Sequence, residues 1–167
     1  MTDPLFQATK STIMVVDDEP DLVTLLSARL EQREFNVMCA YSGSQALADL
    51  EKQKPDLIIL DIMMPKMDGF EVLRRLKAAP ETSSIPVILL SALDQLKDIS
   101  TCYEMGAHHY ITKPFNNAHL MTVIDHILSG DRPVVREQCL RVVFAGSTTG
   151  QRRIGLRAEY RGGLTKR

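Results

Sequence analysis

The chain has 167 residues, 44% hydrophobic and 25% charged, with a formal net charge of −1, which is room for one ordinary globular domain and a modest extra segment. No apolar run approaches the ~20 residues of a membrane helix, and the opening "MTDPLFQATK" lacks the basic cap and apolar core of a secretory signal. Cys39, Cys102 and Cys139 are scattered, odd in number and without CxxC spacing, which argues against a disulfide framework or structural zinc and for a cytoplasmic protein with reduced thiols.

After an N-terminal segment (1–11) expected to be flexible, short apolar runs alternate with stretches of helical period up to about residue 130. The first run, "IMVV" (13–16), is followed by "EPDLVTLLSARLEQR", whose Leu22, Leu25, Leu26 and Leu30 fall on one helical face. "NVMCA" (36–40) precedes "SGSQALADLEKQ", with Ser42 as its N-cap. "LIIL" (57–60) precedes "GFEVLRRLKAA", and "PVILLS" (86–91) precedes "ALDQLKDISTCYEMG". "HHYIT" (108–112) precedes "NNAHLMTVIDHILSG", where Leu120, Val123, Ile124, Ile127 and Leu128 form the apolar face and Gly130 the stop.

Five strands alternating with five helices predict an α/β fold, a parallel sheet covered on both faces. "IMVV" and "LIIL" are continuously apolar, as strands buried on both sides must be, and in the flavodoxin-like order 2-1-3-4-5 the first of them is central. Ligands of such sheets bind outside the carboxyl ends of the strands. Asp17 and Asp18 follow the first strand, Asp61 the third and Lys113 the fifth, while Ser91 ends the fourth. All of them fall on that edge.

Crowded carboxylates repel one another and raise one another's pKa, so a divalent cation or a lysine must offset them. Asp17, Asp18 and Asp61 offer hard oxygen ligands, which suit Mg²⁺ better than zinc or copper. Lys113 can pair with a phosphoryl oxygen or, without one, with Asp61. Ser91 can donate a hydrogen bond to a second phosphoryl oxygen, and a carboxylate can act as nucleophile to form an aspartyl phosphate. Phosphoryl transfer needs mainly positioning and charge neutralisation, which this set supplies.

The motifs "VVDDEP" (15–20), "LIILDIMMPKMDGFEVLRRLK" (57–77), "VILLSA" (87–92) and "GAHHYITKPF" (106–115) resemble the receiver domain of two-component response regulators over residues 12–129. The resemblance implies a receiver domain at 12–130 and a flavodoxin-like (βα)5 fold of strand order 2-1-3-4-5. It implies that Asp61 is the phosphoacceptor, taking a phosphoryl group from a phosphohistidine of a sensor histidine kinase or phosphotransfer protein. Mg²⁺ would be bound by Asp18, Asp61 and the backbone carbonyl of Met63, with Asp17 acting mainly through water. Lys113 would hold the phosphoryl group and precede a cis Pro114. Ser91 would be the switch hydroxyl and Tyr110 the aromatic that follows it, with the small Ala92 leaving room for the phosphoryl group. Apolar Met63 and Leu93 stand where the family can carry water-orienting polar groups, which implies a long-lived phosphoryl state.

The switch has a physical logic of its own. A phosphoryl group brings close to two negative charges and three acceptor oxygens. Ser91 and Lys113 are drawn towards it, and the vacated space can admit Tyr110. That biases a surface made by the fourth helix, fifth strand and fifth helix, which is also the face available for a homodimer. The protein is then a signalling module and not an enzyme in the ordinary sense.

Other residues read as structural. Met67, near Met63, Met64 and Pro65, is a packing residue and no copper ligand, because the neighbouring ligands are hard. His108 and His109 are adjacent on a strand and face opposite ways. His119 and His126 share a helix at a spacing of seven, without the paired spacing of a metal site.

Residues 1–130 hold 11 Lys and Arg against 18 Asp and Glu, whereas residues 131–167 hold 9 against 3. The tail is therefore a short basic extension matching no recognised output domain, with "CLRVVF" and "IGLRAEY" as two potential strands. Three further readings stay open. One is a transcription regulator whose basic tail (131–167) binds DNA through phosphate contacts. Another is a receiver-like module that binds partners without phosphorylation, and the last is a small hydrolase using Asp61 as nucleophile. The downstream effector is not named by the sequence.

Overall fold

The computed structural model describes residues 10–92 and 101–130; residues 1–9, 93–100 and the tail at 131–167 lie outside the described residues. The strands are β1 (Thr12–Val16), β2 (Asn36–Ala40), β3 (Leu57–Asp61), β4 (Val87–Ser91) and β5 (His109–Thr112). The helices are α1 (Pro20–Gln32), α2 (Gly43–Lys52), α3 (Gly69–Ala78), the helical residues 101–104 (α4) and α5 (Asn117–Leu128). The sheet is all-parallel with order β2-β1-β3-β4-β5, as expected for a flavodoxin-like (βα)5 chain.

Successive strand residues point to opposite faces, and the two faces carry separate cores. Met14, Val16, Ile58, Leu60, Val87 and Leu89 face α2 and α3, where Ala46, Leu50, Val72, Leu73 and Leu76 cover them. Ile13, Val15, Leu57, Ile59, Ile88 and Leu90 face α1 and α5, covered by Val23, Leu26, Leu30, Leu120 and Ile124. Double-sided burial is why β1, β3 and β4 read as unbroken apolar runs.

Two expected helical faces are adjusted. In α1 the buried residues are Val23, Leu26 and Leu30, while Leu25 is 46% exposed; the helix is rolled so that Val23 takes the place expected for Leu25. In α5, Met121 joins Leu120, Val123 and Ile124 in the core, with Ile127 and Leu128 only partly buried. Ser42 caps α2 as expected, its hydroxyl accepting from the Gln45 N–H at 3.2 Å. Gln45 Oε1 accepts in turn from the Tyr41 N–H at 3.0 Å, so both backbone donors at this helix entry are satisfied. Gly130 follows α5 with φ 74°, the left-handed conformation of a glycine stop.

The β3–α3 connection is a close joint at the sheet edge. Asp68 caps α3 by accepting from the Glu71 N–H at 2.8 Å, and the Gly69 N–H donates to the Ile62 carbonyl at 2.9 Å. A Cβ at position 69 would lie 2.3 Å from the Asp61 carbonyl oxygen and 2.7 Å from Ile62 Cα. The first turn of α3 therefore rests directly on the backbone of Asp61.

His108 and His109 do face opposite ways, His108 exposed and His109 only 4% exposed. Burial, helped by the nearby His119, pushes the His109 imidazole down to about 4.

Two outcomes follow. Gly69→Ala should lower stability by ~1–3 kcal/mol in urea unfolding, as overpacking does; an unchanged or raised midpoint would show that α3 does not sit on the Asp61 backbone. Because an unfolded histidine titrates near ~6.5, the unfolded state binds the His109 proton first as pH falls. The His109 contribution is thus complete above pH ~6.5 and is lost towards pH ~4, by on the order of 3 kcal/mol in all. His109→Phe should flatten the dependence of the urea midpoint on pH over that window, and an identical slope in both proteins would refute the assignment.

Candidate functional site

The strand ladders set the level of each polar side chain. Val16 pairs with Leu60, Asp61 with Leu90, and Ser91 with Thr112, so Asp17, Asp61, Ser91 and Lys113 reach the carboxyl edge within about one residue of each other. Backbone bonds hold them there: Asp17 N–H to the Ala40 carbonyl at 3.1 Å, Ile62 N–H to Leu90 at 2.9 Å and Lys113 N–H to Ser91 at 2.6 Å.

At that edge, carboxylate oxygens of Asp17, Asp18 and Asp61 all lie within 4.8 Å of one another. Asp17 and Asp61 are buried at 1% and 3% exposure, whereas Asp18 is exposed. Lys113 Nζ bridges the two buried acids, 2.7 Å from Asp17 Oδ2 and 2.8 Å from Asp61 Oδ1. The other oxygen of Asp17, Oδ1, accepts from the Glu19 N–H at 2.9 Å. Asp17 is thus held on both sides, while Asp18 is the acid of the cluster that faces solvent.

Burial raises the pKa of the Asp61 carboxyl; the hydrogen bond from Lys113 works against this, and the Asp17 charge adds to it. For Lys113, burial acts to lower the pKa, yet its bonds to Asp17 and Asp61 outweigh that and leave the ammonium above its usual value. Three carboxyl groups stand against one ammonium, and the donors are all hard oxygens. That set fits a small divalent cation with oxygen preference.

Among the other expected residues, Ser91 is fully buried at the end of β4. Tyr110 is 7% exposed and packs in the α2/α3-side core with Leu89, Cys102 and Ala107. Met63 is 57% exposed in the loop after Asp61, Met67 packs against the core, and the Lys113–Pro114 peptide is cis. Ala92 is exposed, and Leu93 lies outside the described residues. One participant had no sequence signal: the Glu19 backbone N–H, seen only once the β1–α1 turn is formed. Gly69 opens the expected third helical stretch in the sequence, but its need to be bare comes from the Asp61 backbone beneath it.

Among the described residues, no helix is long and apolar enough to cross a membrane. The family model for the response regulator receiver domain matches residues 13–125. The alkaline phosphatase synthesis transcriptional regulatory protein PhoP of Bacillus subtilis is 41% identical over 116 residues, 70% of this chain and 48% of that protein. Protein PilH of Pseudomonas aeruginosa is 37% identical over 118 residues, 71% of this chain and 98% of that protein. The signal receiver domain of a signal transduction histidine kinase from Syntrophus aciditrophicus superposes with a TM-score of 0.68 at 35% identity, covering 74% of this chain and 94% of that one. The chain spans about half the length of several curated relatives that it matches. With the receiver model matching residues 13–125 and the acidic edge in place, the chain belongs to the response regulator receiver family.

Proposed function

We propose that the chain is a phosphoacceptor switch in which Asp61 receives a phosphoryl group from a phosphohistidine of a sensor histidine kinase or phosphotransfer protein. The observation that carries this reading is the Lys113 ammonium held between Asp17 and Asp61 at 2.7 and 2.8 Å in a cluster of three acids. An Asp61 carboxylate oxygen attacks phosphorus, the P–N bond breaks, and the leaving imidazole takes up a proton. Lys113 turns from Asp61 to a phosphoryl oxygen and keeps its bond to Asp17, so the cation stays anchored while its second partner changes.

Asp18 and Asp61 would hold Mg²⁺ together with the Met63 carbonyl. Asp17, its two oxygens already engaged by Glu19 N–H and Lys113, would act through water. When bound, the metal neutralises charge on the transferring group. Ser91 donates its hydroxyl to another phosphoryl oxygen. Tyr110, packed in the core in this structure, moves into the space that Ser91 leaves, which alters the face made by α4, β5 and α5. That face is where a downstream protein or a second copy of the chain binds. The receiver domain spans 12–130, acts in the cytoplasm and performs no turnover beyond its own phosphorylation and dephosphorylation. Residues 131–167 form a basic extension.

Incubation with Mg²⁺ and acetyl phosphate should add one phosphoryl mass, about 80 Da, to the intact protein and none to Asp61→Asn. An equal gain in the variant, or no gain in the wild type with either acetyl phosphate or a phosphohistidine donor, would refute the assignment. Ser91→Ala should still be phosphorylated but show little change in the NMR signals of Tyr110 and β5; a full response would remove Ser91 from the switch.

A further inference from the structure

His109 presents a problem that the acidic edge does not solve. Its Nδ1 is the one buried side-chain polar atom without a hydrogen-bond partner among the described residues. A buried polar atom left unpaired is destabilising and calls for a partner such as an ion or a water. His109 alternates with Tyr110 along β5 and therefore lies, with Ile111, on the α5 side of the sheet. There the first turn of α5 brings His119 against it, with ring centroids 6.0 Å apart and planes at 56°. His119 itself is exposed.

We propose that His109 and His119 form a two-imidazole site for a borderline divalent transition metal of the Zn²⁺ class. An ion about 2.1 Å from each nitrogen lies about 3.2 Å from each ring centre, so two ligating rings stand roughly 5–6.5 Å apart. The observed 6.0 Å falls in that range. Imidazole nitrogens select zinc, nickel or copper over magnesium, and the buried ring stays neutral, the form that ligates. His119, on the exposed side of a helix, is free to turn its ring onto the ion, and water fills the remaining positions. Lys113 stands four positions along the chain from His109, roughly 13 Å, so the site uses no part of the acidic cluster and does not depend on the phosphoacceptor reading.

The test is a Zn²⁺ titration of the full chain, in reducing buffer with excess Mg²⁺ to occupy the acidic edge, followed by imidazole ¹⁵N NMR. One equivalent should shift the nitrogen signals of both His109 and His119. His119→Gln, an exposed change that leaves the core intact, should weaken that binding about tenfold or more, whereas His126→Gln, at another exposed position on the same helix, should not. Unperturbed His109 and His119 signals, or His119→Gln binding as tightly as wild type, would overturn the site and leave the His109 nitrogen to a buried water.

Discussion

The structure depends on one electrostatic constraint: two buried carboxylates, Asp17 and Asp61, share a single ammonium. Without Lys113 two like charges would stand desolvated at the end of adjacent central strands, and one would have to be protonated or the edge would have to open. With it, one ammonium stands within hydrogen-bond reach of both carboxylates and offsets their repulsion. The same contact reaches across the sheet: Lys113 follows β5 and binds at the end of β3, and these strands are separated by β4.

The scaffold makes that charge arrangement tolerable by being rigid below it. Each central strand is packed on both faces, with separate cores under α1/α5 and α2/α3. Ladder bonds from Asp17, Ile62 and Lys113 continue across the carboxyl edge. α3 adds a second restraint, because its first residue has no side chain and seats against the Asp61 carbonyl. Asp61 is thus held through its backbone by both β4 and α3, while its carboxylate is bound by Lys113.

Most of the fold was legible in the sequence because parallel strands buried on both sides have a distinctive composition, and each of the five observed strands falls on an expected run. What was misread has local causes. Leu25 and Val23 both lie near the edge of the apolar stripe of α1, and periodicity alone does not say how far the helix is rolled; packing buries Val23 and leaves Leu25 at 46% exposure. α1 also ends without a glycine. Glu34 takes the left-handed conformation with φ 65°, and the N–H of Phe35 returns to the Leu30 carbonyl at 3.1 Å, a stop that glycine usually marks.

By itself, the sequence determined the alternation of elements, the sheet type and the identity of the five edge residues, because strand and helix periods and the rule for ligand placement in parallel sheets act locally. Only the tertiary structure decided how those residues are partnered. Lys113 binds Asp17 as well as Asp61, the backbone of Glu19 holds the other oxygen of Asp17, and Gly69 must be bare because Asp61 lies under it. His109 and His119, ten positions apart and in different elements, meet only because α5 folds back over β5. Partnerships of this kind depend on how helices sit on a sheet, and that is set by packing across the whole core, not by the spacing of any one segment.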